Sequence, residues 1–260
     1  LKKISLGGAE IYSRRVSKLD GTRKYLFSLT DGNIIEGVLM KYNYGNTLCV
    51  SSQVGCRMGC AFCASTLDGL VRNLAPGEMY GQITSVNNEL RSEGERLISH
   101  VVVMGSGEPL ENFDNLIKFL RLINSPDGLN IGMRNISVST CGLADRIEEL
   151  ARLKLGVTLS ISLHAPENEL RRRIMPVANK YPLEQLMEAA EYYIHDTGRM
   201  VIFEYILLNG VNDSREHARA LKRLLKGMQC HVNLIRMNDV SERELKGSSP
   251  KAAQAFKAEL

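Results

Sequence analysis

Five short stretches rich in Val and Ile recur between residues 100 and 237: HVVVMG (100–105), NISVST (135–140), VTLSISLHA (157–165), RMVIFEYILL (199–208) and HVNLIRM (231–237). Helical patterns fall between them, from Phe113 to Ile123, Ala144 to Leu153, a short one at Arg171–Arg173, Leu183 to His195, and about Ser214 to Lys226. Near-continuous apolar strands that alternate with helices imply a parallel sheet covered by helices. TLCVSS (47–52), followed by a helix from Pro76 to about Arg91, makes a sixth strand. The fold class is therefore α/β, and right-handed crossovers leave an open sheet or an incomplete barrel. In either architecture ligands collect at the C-terminal ends of the strands.

Ahead of this pattern, KYLFSLT and NIIEGVLM flank Asp31-Gly32 and lead through Tyr44-Gly45-Asn46 into TLCVSS. Asp-Gly between alternating apolar runs is a hairpin signal, so residues 24–52 read as an antiparallel meander. The composition, 44% apolar and 24% charged over 260 residues, is that of a globular chain able to bury a core. No apolar run approaches the ~20 residues of a membrane span, and no signal-peptide pattern occurs, which reads as cytoplasmic. The net charge of +4 is concentrated in residues 1–55, with 8 Lys/Arg against 4 Asp/Glu. That asymmetry is compatible with a polyanionic partner but does not identify one. The chain begins with Leu1, and Ala252 to Leu260 reads as the middle of a helix without a cap, so the sequence is expected to be an excerpt of a longer protein.

Of the six cysteines (Cys49, Cys56, Cys60, Cys63, Cys141, Cys230), three fall within eight residues as Cys56-x3-Cys60-x2-Cys63. Crowded thiols in a chain of this size suggest a metal site rather than disulfide staples. Zinc closes its tetrahedron with four protein ligands, and no second Cys/His pair follows, His100 and His164 being single and distant. Three thiolates suit a [4Fe–4S] cluster with one open iron. Zinc and unligated thiols remain alternatives. Cys141 and Cys230 read as small buried apolar residues.

Polar groups mark the strand ends. HVVVM runs into Gly105-Ser106-Gly107-Glu108-Pro109, where two glycines would admit a ligand to the backbone and Glu108 could accept from an ammonium. Ser139 and Ser162-Leu163-His164 end the next two strands, and Asn238 follows the last. Each alone could be a cap or turn residue. Glu36, inside the apolar strand NIIEGVLM, faces either solvent or the site as a base.

C-x3-C-x-Phe-C, with Phe62 as the aromatic, resembles the signature of radical S-adenosylmethionine (SAM) enzymes, and Gly107-Glu108-Pro109 resembles their GEP motif, which holds the methionine amino group. DGTRKYLFSLTDG, VSSQVGC, CAFCAST, GLVRNLAPGE, MGSGEPLENFDN, SLHAPENELRRRIMPVANKYP, FEYILLNGVND and NLIRMND are similar to the RlmN-type adenine-C2 RNA methyltransferases, relatives of the Cfr enzymes that act on C8. The resemblance covers almost the whole chain. It implies an incomplete (βα)6 radical SAM barrel over residues 47–260, preceded by a strand meander over 1–46.

The resemblance also implies the chemistry. Adenine C2 is electron-poor and cannot attack the SAM methyl as a nucleophile, so the family uses two SAM molecules. One methylates a carrier cysteine; the other yields a deoxyadenosyl radical that activates that methyl for addition to the base. A second cysteine then releases the product by forming a disulfide with the carrier. By motif, Cys56, Cys60 and Cys63 would ligate the cluster. Gly107, Glu108, Ser139, Ser162, Leu163 (by its backbone), His164 and Asn238 would contact SAM. Cys49 would be the resolving cysteine and Glu36 the proton acceptor. The Arg171–Arg173 run, which the family match does not identify as a site, could meet RNA phosphate. The implied partners are 23S rRNA at the peptidyl-transferase centre, tRNA beside the anticodon, and a flavodoxin or ferredoxin as electron donor, with the enzyme a monomer and no membrane involved.

Two features depart from the family. No segment like GDDIDAACGQL, which bears the carrier cysteine, occurs in these 260 residues, nor does the small N-terminal helical domain. Arg236 also stands where NLIPxN has Pro. Two other readings follow: another radical SAM enzyme, such as a truncated SAM-cleaving paralogue, or a non-catalytic metal-stabilised RNA-binding module.

Overall fold

The computed structural model describes residues 8–238 and 240–260. Leu1 lies outside the described residues, as do Lys2 and Lys3, which are part of the basic excess, and Asp239 of NLIRMND. Contacts group the chain into two compact units, residues up to 56 with 70–139, and residues 57–69 with 140–260.

The first unit holds β1 (Glu10–Val16), β2 (Arg23–Ser28), β3 (Ile34–Tyr42), β4 (Gly45–Val50), the short β5 (Gln53–Gly55) and β6 (Leu70–Asn73), α1 (Pro76–Ser92), β7 (Ile98–Val103), α2 (Phe113–Asn124) and β8 (Ile136–Thr140). Its sheet runs β1-β2-β3-β4-β7-β8, antiparallel through β4 and parallel from β4 onward. Leu48, Val50, Val101 and Val103 are fully buried, as are Ile83 and Val86 of α1 and Leu116 and Phe119 of α2. α1 starts where Pro76 fixes the first turn and Glu78 reaches back to the Ala75 amide at 2.8 Å.

Three strands were not legible in sequence. β1, EIYSRRV, has no apolar alternation and is exposed along most of its length. It is held by antiparallel pairing to β2 and by Arg14, which pairs with Glu93 at 2.8 Å. β5 and β6, three and four residues long, form a separate two-stranded ribbon.

The second unit holds α3 (Ala144–Arg152), β9 (Thr158–Ser162), α4 (Asn168–Ile174), α5 (Leu183–Thr197), β10 (Val201–Leu207), α6 (Arg215–Leu224), β11 (Cys230–Arg236) and α7 (Pro250–Glu259). β9, β10 and β11 are parallel, with Ser162 level with Glu204 and Glu204 with Asn233. Leu159, Ile161, Val201, Phe203, Tyr205 and Leu207 are fully buried, as are Ile147, Leu186, Leu221 and nearly so Phe256 on the helices. The last helix corrects the sequence expectation. Ser249 caps it, accepting from the Ala252 amide at 3.2 Å, and Pro250 opens its first turn. No helix of the described residues is long and apolar enough to cross a membrane.

Candidate active site

The residues singled out in the sequence divide between the two units. Glu36, Cys49, Cys56, Gly107, Glu108 and Ser139 belong to the first; Cys60, Cys63, Ser162, Leu163, His164 and Asn238 belong to the second.

In the first unit the loop after β7 is stitched to the chain that follows β4. The Ser106 amide donates to Ser51 Oγ at 2.8 Å, and its carbonyl accepts from the amides of Ser52 and Gln53. The Glu108 amide donates to Gln53 Oε1 at 2.8 Å, while Glu108 Oε1 caps its own turn through the Leu110 amide at 3.0 Å. Gly107 has φ 106°, and a Cβ there would stand 2.5 Å from Gln53 Cβ. The close approach of the protein to itself is by itself enough to require glycine here. Ser51, Gln53 and Asn112 organise this loop, and none was recognised in sequence. Asn112 ties the Ser52 and Leu74 carbonyls together at 2.9 and 2.8 Å. Ser139, buried in β8, follows Val138, the partner of Val103, so it lies at the level where β7 gives way to this loop.

Cys49 lies on β4 opposite Val38 of β3 and Val102 of β7. Strand alternation puts Glu36, two residues from Val38, on the same face of the sheet as Cys49. Glu36 is half-exposed and ion-paired with Lys24. Burial pushes the Cys49 thiol up to about 11, and the Glu36 carboxylate adds to the effect.

In the second unit the cysteine loop is anchored through its backbone. The Ala61 amide donates to the Ile174 carbonyl at 2.9 Å, and the Cys63 amide to the Cys60 carbonyl at 3.1 Å. Thr66 Oγ1 donates to the Cys60 and Cys63 carbonyls, and Arg243 Nη2 donates to the Cys63 carbonyl at 3.1 Å and to Thr66 Oγ1 at 2.7 Å. Gly59, at φ 71°, supplies the left-handed turn between the thiols. Cys60 is buried among Cys141, Ala165, Leu170, Ile174, Met175, Ile206 and Leu208, with Met58, Phe62 and Cys63 packed against that cluster.

His164, at φ 58°, ends β9 with Nδ1 accepting from the Ile206 amide at 3.0 Å and its ring edge-on to Phe62, 4.9 Å between centroids. Burial, helped by the Arg171 charge, pushes its pKa down to about 3. Asn212 fixes this turn, donating to the His164 and Ile206 carbonyls and accepting from the Leu208 amide, each at 2.7 Å. The Leu163 amide donates to the Glu204 carbonyl at 3.0 Å, and its carbonyl accepts from the Ala165 amide at 2.8 Å and from Arg171 Nε at 3.1 Å, so its backbone is held from both sides. Asn238 lies two residues beyond β11 and is exposed.

Three sequence readings change. Arg171 is fully buried and donates to backbone carbonyls, so of the Arg171–Arg173 run only Arg172 and Arg173 are exposed enough to meet phosphate. Cys230 is not a core residue: it is half-buried and lines a groove with Leu221, Leu225 and Lys257. None of the six cysteines is in a disulfide.

The donor set fits an iron–sulfur cluster. It offers three thiols on eight consecutive residues, two of them buried, and Cys60 has an apolar surround. Among the described residues no three His, Cys, Asp or Glu side chains surround a common point as a mononuclear ion requires. A cubane needs no such point, because each thiolate binds a different iron.

Residues 50–221 match the family model of the radical SAM superfamily, and the cysteine loop and parallel α/β units define the same class: a radical SAM enzyme, which uses a [4Fe–4S] cluster and SAM. A crystal structure of a radical SAM methyltransferase from Sphaerobacter thermophilus superposes with a TM-score of 0.93 at 42% identity, over 97% of this chain and 74% of that one. The chain is 58% identical over 94% of its length to a probable dual-specificity RNA methyltransferase RlmN of Lachnospira eligens, spanning 69% of that protein. It is 54% identical over 96% of its length to the Clostridium novyi protein of the same name, spanning 72% of it. The chain belongs to the RlmN family of radical SAM RNA methyltransferases.

Proposed function

We propose that this chain is the catalytic core of an enzyme that methylates C2 of an adenine in 23S rRNA at the peptidyl-transferase centre and of an adenine beside the tRNA anticodon. The observation that carries this reading is the alignment over at least 94% of the chain with proteins named as dual-specificity RNA methyltransferases. In this reading residues 1–46 are a strand meander and 47–260 the radical SAM barrel, working in the cytoplasm as a monomer with a flavodoxin or ferredoxin as reductant.

Cys56, Cys60 and Cys63 hold the cluster, which supplies the electron that cleaves SAM to a deoxyadenosyl radical. Glu108 accepts the methionine ammonium of SAM from a turn that its own Oε1 braces through Leu110. Gly107, Ser139, Ser162, Leu163 (by its backbone), His164 and Asn238 are the further SAM contacts of this reading. His164 stays neutral, so it adds no charge beside the sulfonium. Cys49 resolves the protein–RNA adduct by attacking the carrier cysteine, whose segment is not among these 260 residues. Its raised pKa keeps it a thiol until a base takes the proton, and in this reading Glu36, on the same face of the sheet, is the proton acceptor.

The test is an anaerobic incubation of the reconstituted full-length gene product with SAM, a reductant and an rRNA fragment, read by mass spectrometry of the nucleosides. 2-Methyladenosine is expected. 8-Methyladenosine would overturn the C2 assignment, and SAM cleavage with no methylated nucleoside would point to another radical SAM reaction.

A further inference from the structure

Arg171 is 0% exposed, and all four of its hydrogen-bond acceptors are backbone carbonyls. Nη2 donates to Cys141 at 2.6 Å and Ser162 at 3.2 Å, Nε to Leu163 at 3.1 Å, and Nη1 to Tyr181 at 3.5 Å. These carbonyls come from the turn after β8, the end of β9 and the segment leading to α5. The room is made by Gly142, at φ 104°, where a Cβ would stand 3.1 Å from Nη2.

A guanidinium out of water is costly to keep without a counter-charge. Arg171 Nη2 donates to the carbonyl of Cys141, which shares one buried cluster with Cys60 and with Leu170 and Ile174 of α4, and the acidic groups that act on the guanidinium are these two thiols. Cysteine binds iron as the thiolate. A bound iron–sulfur cluster would therefore put a negative charge at Cys60, in the group of side chains that Arg171 adjoins through Cys141. The same side chain fixes the Ser162 and Leu163 carbonyls, and so the strand end from which Ser162, Leu163 and His164 project.

We propose that Arg171 is a positioning residue with two roles: its carbonyl clamp sets the β9 end for SAM, and its charge is the internal counter-ion of the Cys60 thiolate. This rests on the reading that Cys60 ligates the cluster and that Ser162–His164 meet SAM. An internal positive charge favours the reduced, more negative cluster, so its removal makes the cluster harder to reduce.

The test compares anaerobically reconstituted wild type with Arg171→Met, Arg171→Gln and Arg171→Lys. Two readouts serve: the cluster midpoint potential in an EPR-monitored titration without SAM, and the SAM concentration that half-converts the [4Fe–4S]⁺ signal. The neutral variants are expected to shift the potential negative, and Arg171→Lys to restore it. Arg171→Lys is also expected to need at least tenfold more SAM, because one ammonium cannot span four carbonyls. Wild-type potential in a folded neutral variant overturns the counter-ion role, and wild-type SAM response in Arg171→Lys overturns the clamp. If neither neutral variant unfolds cooperatively, the lysine variant decides both roles: a potential well below wild type with the charge retained overturns the first. A wild-type signal indifferent to SAM would instead sink the SAM reading, leaving the potential arm intact, and a cluster that survives Cys60→Ala would sink the ligand reading.

Discussion

His164 Nδ1 accepts the Ile206 amide hydrogen at 3.0 Å, which places the ring's own proton on Nε2 and ties the turn after β9 to the C-terminal end of β10. The pairing needs the neutral ring, since a protonated Nδ1 would face an N–H donor.

The sign of the resulting pH dependence follows from a folded pKa of about 3 against about 6.5 unfolded. Between those values the unfolded chain takes up a proton that the folded chain does not, so stability falls as pH drops below about 6.5. From pH 7 to 5.5 this one group should cost about 1 kcal/mol. His164→Asn keeps an acceptor and tolerates the positive φ but does not titrate. Urea unfolding at the two pH values should show a smaller loss in the variant than in wild type. Equal losses would mean that His164 is not held neutral by the fold.

Cys49 should behave as a slow thiol. With its pKa at about 11, its thiolate fraction at pH 8 lies about a hundredfold below that of an ordinary cysteine. Iodoacetamide labelling followed by peptide mass spectrometry should show a Cys49 rate that still climbs about tenfold per pH unit from 8 to 10. Glu36→Gln should raise that rate by removing a negative charge from the same face. A Cys49 rate that levels off near pH 9 would show that the thiol is not desolvated in the fold.

The sequence carried the parallel strands well because their burial is written in near-continuous apolar runs such as VVV (101–103) and VIFEYIL (201–207), the latter broken only by Glu204. It carried the cysteine loop because three thiols in eight residues have few other uses. It failed where the deciding contact lies far along the chain. Gln53 is one polar residue after β4, and its role appears only when Glu108 arrives 55 positions later. Asn212 similarly binds the turn at His164, 48 positions earlier. Arg171 was misread because a run of three arginines looks like a solvated face. On α4, however, Arg171 shares a side with the buried Ile174 while Arg172 and Arg173 turn outward.

Gly107 offers the sharpest check on the loop that carries Glu108. Alanine there must adopt φ 106° and push a Cβ to 2.5 Å from Gln53 Cβ and 2.8 Å from the Gln53 amide nitrogen, so backbone has to move. The movement falls on the residue whose Oε1 holds the Glu108 amide, and the carboxylate is displaced with it. Gly21→Ala is the control: φ is 71° there, but nothing lies within 4 Å, so only the backbone strain is shared. In reconstituted protein Gly107→Ala should keep its cluster yet need at least tenfold more SAM to perturb the EPR signal, while Gly21→Ala responds as wild type. A Gly107→Ala protein that titrates with SAM like wild type would remove this loop from the SAM site.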